Sequence, residues 1–509
     1  VAEVGLLERL RGQSTWPPRS EAAVWEQVEL YSALRENDEP TMRMWAQALQ
    51  MGGDYRRAYV PVPLAKRLAN TNAALLFGEP VEIKTANDSD QELMDDLVKA
   101  NKLDSALLRA ARISGSEGEV WGKVSVAPAL LDAPIIEFVS RKRVIPKFVG
   151  KHVAEATFVT TYDGEQSILG RDAKVWRLLE THTPGAITMR LFHGSGTTLG
   201  AQHDLSERDE TAPYAEIADR LEEKDVVFLT GFDVPLCVFI PNELGEDMTR
   251  GLSLYDGLVH LFFSVNNGVT IGHQNMRATG KQRLLAERRF LDRFGNLPDG
   301  DDVFYMDEQV GGTGENAPAI KTAQYDFHSE EQIRWIESEI DWALTMAGIA
   351  PQSMGRSVDG SSVSGTALRL RMAHTIVDAG TRARLFDDEL SLLLSFAAQL
   401  DARPMPQGFN RGWSDPVTPP SLTHPDPIPS DPVEDAQVIQ VLDSAGAISL
   451  EEKVRRANPG WDEKALEEEV ERIANSSMPE QDTAPTSPIP TTPPAVTLDG
   501  TTGGATLNG

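Results

Sequence analysis

Apolar residues recur every three or four positions in "SEAAVWEQVELYSALREND" and again in "PLAKRLANTNAALLFGEP". That is the spacing of helices with one buried face. In the second stretch Leu64, Leu68, Leu75 and Leu76 fall roughly on one side, Gly78 stops the run and Pro80 bars its continuation. "QELMDDLVKANKLDSALLRAARISG" predicts one further helix, ending near Gly115. From Glu119 the period shortens. "EVWGKVSV", "IIEFVS", "EATFVTTY", "KVWRLLETH" and "ITMRLFHG" are short, β-branched and often alternating, with turn residues between them. "DVVFLTGFDVPLCVFIPN" closes a single antiparallel β region of about 120 residues.

Helical spacing returns over residues 252–289, whose second half carries Arg277, Lys281, Arg283, Arg288 and Arg289. Cations near a helix C-terminus also simply suit its dipole. A small β unit follows, "DDVFYMDE" and "AIKTAQYDF" joined by the Gly-rich "QVGGTGENAP". "SEEQIRWIESEIDWALTMAG" predicts a helix with a capping box from Ser329 to Gln332. After a Gly/Ser-rich segment, Leu368, Met372, Ile376, Ala379, Ala383, Phe386, Leu390 and Leu393 march at helical spacing. The helix they predict is on the order of 55 Å long, with Gly380 as a kink point. Residues 403–430 are proline-dense and read as extended. Asp431-Pro432-Val433-Glu434 and the box Ser449 to Glu452 then open short helices. The Pro/Thr/Gly-rich tail from about Ser477 is expected to be disordered.

Composition narrows the chemistry. The chain has 509 residues, 40% hydrophobic and 25% charged, and a formal net charge of −29. Proteins that grip nucleic acid by counterion release are basic, so the acidity argues against a conventional DNA binder. It does not argue against a surface past which DNA slides. The one cysteine, Cys237, sits in the apolar run "DVPLCVFI" and reads as a small buried hydrophobe. The nine histidines form no ligand spacing, so neither a metal nor another cofactor is expected. The first residues lack a cationic start before an apolar run, and no apolar run reaches membrane-spanning length. A soluble chain without membrane partners is expected.

The Gly/Ser segment, "GIAPQSMGRSVDGSSVSGTALRLR", invites a phosphate-cradle reading, because Gly360 and Gly365 stand at P-loop spacing. The next residue is Thr366 where the motif demands lysine, and no apolar strand precedes the segment. A surface loop with an N-cap at Ser364 is the plainer alternative.

Three phrases carry a resemblance. "LANTNAALLFGEPVEI", "GIAPQSMG…SGTALRLR" and "GWSDPVTPP…DPVEDAQVIQVLDSAGAISLEEKVRRANPGW" occur in this order. Together they resemble the portal (head-to-tail connector) proteins of tailed double-stranded DNA phages, siphophage type. The resemblance frames residues 25 to 475, although the β region matches only in pattern and the 252–289 helix departs from the usual wording. It implies an α+β portal fold and a non-enzymatic ring, a dodecamer in the virion at the unique capsid vertex. Double-stranded DNA would pass through without sequence specificity. Terminase large subunit, major capsid protein and scaffold, and head-completion or adaptor proteins would be partners, with host cytoplasm as the place of assembly.

Mapped onto this chain, the resemblance implies a wing over 1–250, a first stem helix over 251–285, a clip over 286–328 and a second stem helix over 329–347. A tunnel loop would follow over 348–364, then a long kinked helix over 365–402, a wing return strand and linker over 403–430, crown helices over 431–475 and a disordered tail over 476–509. The loop facing DNA would comprise Arg356, Ser357, Val358, Asp359, Gly360, Ser361, Ser362, Val363 and Ser364, with Asp359 balancing Arg356. Arg277, Lys281, Arg283, Arg288 and Arg289 would be stem contacts to DNA, or ion-pair partners of a neighbouring subunit. Gly311, Gly312, Thr313 and Gly314 would lie at the clip's partner surface. The alternatives are a soluble nucleotide-binding enzyme using the degenerate Gly360–Gly365 loop, or another phage head component.

Overall fold

A computed structural model of the chain describes residues 15–50, 59–126, 131–162, 174–216, 219–222, 224–279, 283–285, 321–323, 329–356, 365–403, 409–425, 432–458, 461 and 463–476. It forms two units, Val1–Pro429 and Ser430–Gly509.

The first unit begins with helices α1 (Ala22–Glu36), α2 (Glu39–Ala48) and α3 (Leu64–Phe77). Asp38 caps α2, accepting from Thr41 N at 3.2 Å. The single helix expected to end near Gly115 is in fact two, α4 (Asp88–Ala100) and α5 (Leu103–Glu117). Lys102 breaks the run with φ 49°. Asn101 diverts its side chain to tertiary bonds: Nδ2 donates to Leu97 O and Pro134 O, both at 3.0 Å, and Oδ1 accepts from Ile136 N at 2.8 Å. An asparagine that finds such partners ends a helix its neighbours would have continued. Gly115 is not a stop. It lies inside α5, where an added Cβ would come within 2.8 Å of Asn72 Nδ2; the helix ends at Gly118, φ 93°.

The single expected β region is two sheets. In the smaller, β2 (Glu119–Ser125) lies between β3 (Ile135–Ser140) and β11 (Cys237–Pro241), all antiparallel. The larger runs β4 (Val144–Val149), β5 (His152–Tyr162), β6 (Val175–Thr183), β7 (Ala186–Gly194), β10 (Asp225–Leu229), β9 (Arg220–Glu222), and β8 (Ala201–His203) pairs with the later half of β7. A short helix, α6 (Ala212–Glu216), precedes β9. Every residue of β2 is buried, polar ones included. Its polar residues are neutralised inside. Lys123 pairs with Glu180 and, at 2.9 Å, with Glu137, and His182 Nε2 lies 2.9 Å from Glu180 Oε1. Burial alone would lower the Lys123 pKa, but the two carboxylates more than reverse it. Burial likewise pushes the Glu180 carboxyl up, and Lys123 and His182 overcome this and hold it down at about 2. Glu119 accepts from Arg141 Nε at 2.8 Å and from Trp121 Nε1 at 3.1 Å.

After β11 comes α7 (Val259–Thr279), shorter than the helix expected over 252–289. Past it, β12 (Arg283–Leu285) pairs with β13 (Lys321–Ala323). "DDVFYMDE", the expected partner of that second strand, lies outside the described residues. Helices α8 (Ser329–Met346) and α9 (Gly365–Asp401) follow. At 37 residues α9 has its expected length, and it runs unbroken through Gly380. Met372, Ala379, Phe386, Leu390 and Leu393 are buried as the period predicted, and Leu368, Ile376 and Ala383 are half-buried. The helix lies so close to β2 that a Cβ on Gly122 would meet Leu393 Cδ2 at 2.7 Å. Beyond it, Trp413 Nε1 donates to Asp401 Oδ2 at 2.8 Å, and Ser414 bonds Asp90 Oδ1 through N and Oγ, each at 3.0 Å. The chain then returns as β14 (Ser421–Thr423), paired with β1 (Glu82–Lys84).

The second unit holds α10 (Pro432–Ser444), α11 (Leu450–Ala457) and α12 (Glu463–Ser476). Ser449 Oγ accepts from Glu452 N at 3.2 Å, the cap its sequence promised. Residues 477–509 lie outside the described set.

Candidate functional site

Ser264, Gly268 and Gly272 stand one turn apart along α7. Ser264 Oγ donates to Glu339 Oε1 at 2.8 Å. A Cβ on Gly268 would lie 3.0 Å from Ile336 Cγ1, and one on Gly272 3.2 Å from Gln332 Nε2. As α7 advances from 264 to 272, its partners on α8 retreat from 339 to 332, so the helices pack antiparallel, backbone close to side chain. Gln332, expected to close a capping box with Ser329, instead donates from Nε2 to Gly268 O at 2.6 Å. Burial raises the pKa of Glu339, while its bond from Ser264 opposes this.

The chain near residue 60 straps α7 to the rest of the unit. Val60 N donates to Thr270 Oγ1 at 3.0 Å and Val62 N to Asn266 Oδ1 at 2.7 Å. Asn266 Nδ2 donates in turn to Tyr59 OH at 2.9 Å. Sequence reading missed these anchors. The signal was an Asn and a Thr, four residues apart, inside the otherwise apolar "FFSVNNGVTIG".

The exit from α8 is equally fixed. Gly348 turns the chain at φ 68°, where a Cβ would also strike Asp378 Oδ2 at 2.5 Å. Thr375 Oγ1 on α9 accepts from Ala350 N at 2.8 Å and donates to Gly348 O at 3.0 Å. A 3-10 turn, Pro351–Met354, comes next, and Thr71 Oγ1 donates to Met354 Sδ at 3.1 Å. Farther along α9, buried Arg382 donates to Asn72 Oδ1 at 3.1 Å, its pKa lowered by burial. The described residues on either side of 357–364 are therefore anchored, by the Thr375 bonds to Gly348 and Ala350 before them and by the Arg382–Asn72 bond on the helix after them.

Of the predicted loop residues, Arg356 is described; Ser357, Val358, Asp359, Gly360, Ser361, Ser362, Val363 and Ser364 lie outside the described residues. Arg356 pairs with Asp341 of α8 at 3.3 Å, so the counterion expected at Asp359 is supplied at least in part from a helix. The five cations do not share one helix. Arg277 is exposed in the last turn of α7 and Arg283 belongs to β12, while Lys281, Arg288 and Arg289 lie outside the described residues. Gly311, Gly312, Thr313 and Gly314 also lie outside them.

Large apolar side chains face outward here. Trp342 is 55% exposed and Met346 71% on α8, and Leu370 is 78% exposed on α9. Among the described residues no cluster of ligating side chains could hold a metal. The element before residues 357–364 is a 3-10 turn, not the strand that a P-loop requires. Burial pushes the Cys237 thiol far up, away from nucleophilic use. No helix among the described residues is long and apolar enough to cross a membrane.

A family model described as "Phage portal protein, SPP1 Gp6-like" matches residues 32–482. Among solved structures, the chain is similar to one described as "Neck of empty GTA particle computed with C6 symmetry", with 12% identity and a TM-score of 0.46 over 86% of this chain and 93% of that one. No curated protein matches it.

Proposed function

This chain belongs to the SPP1 Gp6-like family of phage portal proteins, and from that premise we propose that its copies close into a ring at one capsid vertex, the channel for genome packaging and ejection. The family is structural rather than enzymatic. The family match over most of the chain is the observation that carries the reading. In it α7 and α8 are the stem, residues 286–328 the clip that meets terminase and later the head-completion proteins, and residues 357–364 the tunnel loop. The second unit supplies the crown.

The physical features fit. A net charge of −29 per copy offers little counterion-release affinity to pin a passing duplex. The antiparallel α7–α8 pair and the Thr375 latch hold the loop's two ends, so the loop is free to yield without unfolding its supports. Exposed Trp342, Met346 and Leu370 give a neighbouring copy apolar surface to cover in a heterologous, ring-closing contact.

Deleting Val358–Val363 tests the reading. Loop closure depends only logarithmically on length, so rings and procapsids should form while packaging or genome retention fails. Full and empty heads would be counted beside rings seen by electron microscopy. Wild-type filling would refute the tunnel-loop role; loss of rings would make the segment an assembly contact. Light scattering of the purified protein at a single chain mass, with no rings in micrographs, would refute the ring itself.

A further inference from the structure

The sequence reading looked for cations along the helix after β11. The fold gathers a different set. A cavity of about 480 Å³ opens where α1, α3, α5 and the 3-10 turn Arg141–Arg143 meet. Arg35, Lys66, Arg109, Arg112, Lys142 and Arg143 line it, against one carboxylate, Glu36. This is a dense concentration of positive charge in a chain whose formal charge is −29.

Part of that charge is already used. Arg35 Nη1 donates to buried Glu117 at 2.6 Å, and Lys142 lies 3.5 Å from Glu29. Among the described residues, Lys66 reaches only a backbone oxygen, Glu36 O, at 3.4 Å. Arg109, Arg112 and Arg143 are exposed and make no side-chain hydrogen bond or ion pair among the described residues. Arg109 and Arg112 stand three apart on α5, side by side on one helix face. The side-chain amide of Asn70, one turn beyond Lys66, adds a neutral hydrogen-bonding group to the lining.

We propose that this cavity binds phosphate groups, carried by a nucleic-acid backbone or by a free oligophosphate. Three guanidinium forks and an ammonium offer far more donors than the two oxygens of a carboxylate accept. Consecutive phosphates supply both the charge and the acceptors. The acidic remainder of the chain repels phosphate, which makes this the place where a nearby polyanion would dwell. The proposal goes beyond the channel reading and does not depend on the loop: the cavity belongs to the N-terminal helices and the turn Arg141–Arg143, remote in sequence from residues 357–364.

The test uses the full chain, a fluorescein-labelled short DNA duplex and sodium tripolyphosphate, titrated separately across a range of salt. Wild-type protein should bind at least one of them. Arg109→Ala/Arg112→Ala/Arg143→Ala should weaken that binding by tenfold or more at low salt. If the duplex is the ligand, the slope of log affinity against log salt should fall by about 2 to 3, as losing three phosphate contacts requires. Duplex binding identifies the backbone as the source; tripolyphosphate binding without duplex binding identifies the free anion. Because the three residues are exposed, the melting temperature should not move. Lys66→Ala should give a smaller loss, and keeps the test decisive if the triple variant misfolds. Failure of the wild type to bind either ligand, or equal binding by the variants, would overturn the proposal. So would a change in oligomeric mass at unchanged phosphate affinity, which would assign the cavity to acidic side chains of a second copy.

Discussion

Trp121 and Trp342 are the same side chain in opposite situations. Trp121, in β2, is fully buried, packs against Phe148 and Phe239 with ring centroids 5.9 and 5.4 Å away, and donates Nε1 to Glu119. Trp342, on α8, is 55% exposed. The contrast extends to their surroundings. Around β2 even charged residues go inside, because each finds an opposite charge. Around α8 even large apolar residues such as Trp342 and Met346 stay exposed. In the proposed ring such a face would be covered by a neighbouring copy, so the stability of one chain would be a poor reporter of its importance.

That contrast can be broken most forcefully in the β-rich region. Lys123→Met leaves Glu180 buried opposite an apolar group and should cost about 3–5 kcal/mol of stability, read by urea denaturation. Replacing Lys123 and Glu180 together should recover most of it, since the desolvation cost of both charges vanishes. If the single variant is as stable as wild type, the buried ions do not hold the two sheets together.

A smaller effect sits on α9. Burial, with Asp388 adding like-charge repulsion, raises the Glu389 carboxyl to about 7. The folded chain therefore holds a proton there that the unfolded chain has already released. Stability from this group is full below the ordinary carboxyl range near 4.5 and is lost as pH rises through 7. Glu389→Gln should gain on the order of 2 kcal/mol at pH 8 and flatten the stability profile between pH 4.5 and 7. An unchanged profile would mean the carboxyl is better hydrated than its position implies.

The smallest effect on the isolated chain, and the sharpest test of the contrast, is Trp342→Glu. Its monomer stability should stay within about 0.5 kcal/mol of wild type, while ring formation, followed by light scattering, should fail. Intact rings would show that this face of α8 is not an interface. A large loss of monomer stability would show that it is not open.

Periodicity located most helices and strands, because the spacing of apolar residues is a property of the chain itself. The 37-residue helix and its buried face, the cap at Ser449, and the family resemblance were all legible before any coordinates. Where sequence reading failed, a distant partner had overruled a local pattern. Asn101 broke a helix because Pro134 and Ile136 were there to receive it. Gln332 left its expected cap for a carbonyl on α7. Lys123 lies buried in β2 because Glu180 and Glu137 are there to neutralise it. The cationic cavity was invisible for the same reason: its residues come from four separate elements, and only their packing brings like charges to one concave surface. Local pattern is set by the order of residues, whereas the partner of a polar group is set by what the fold brings beside it.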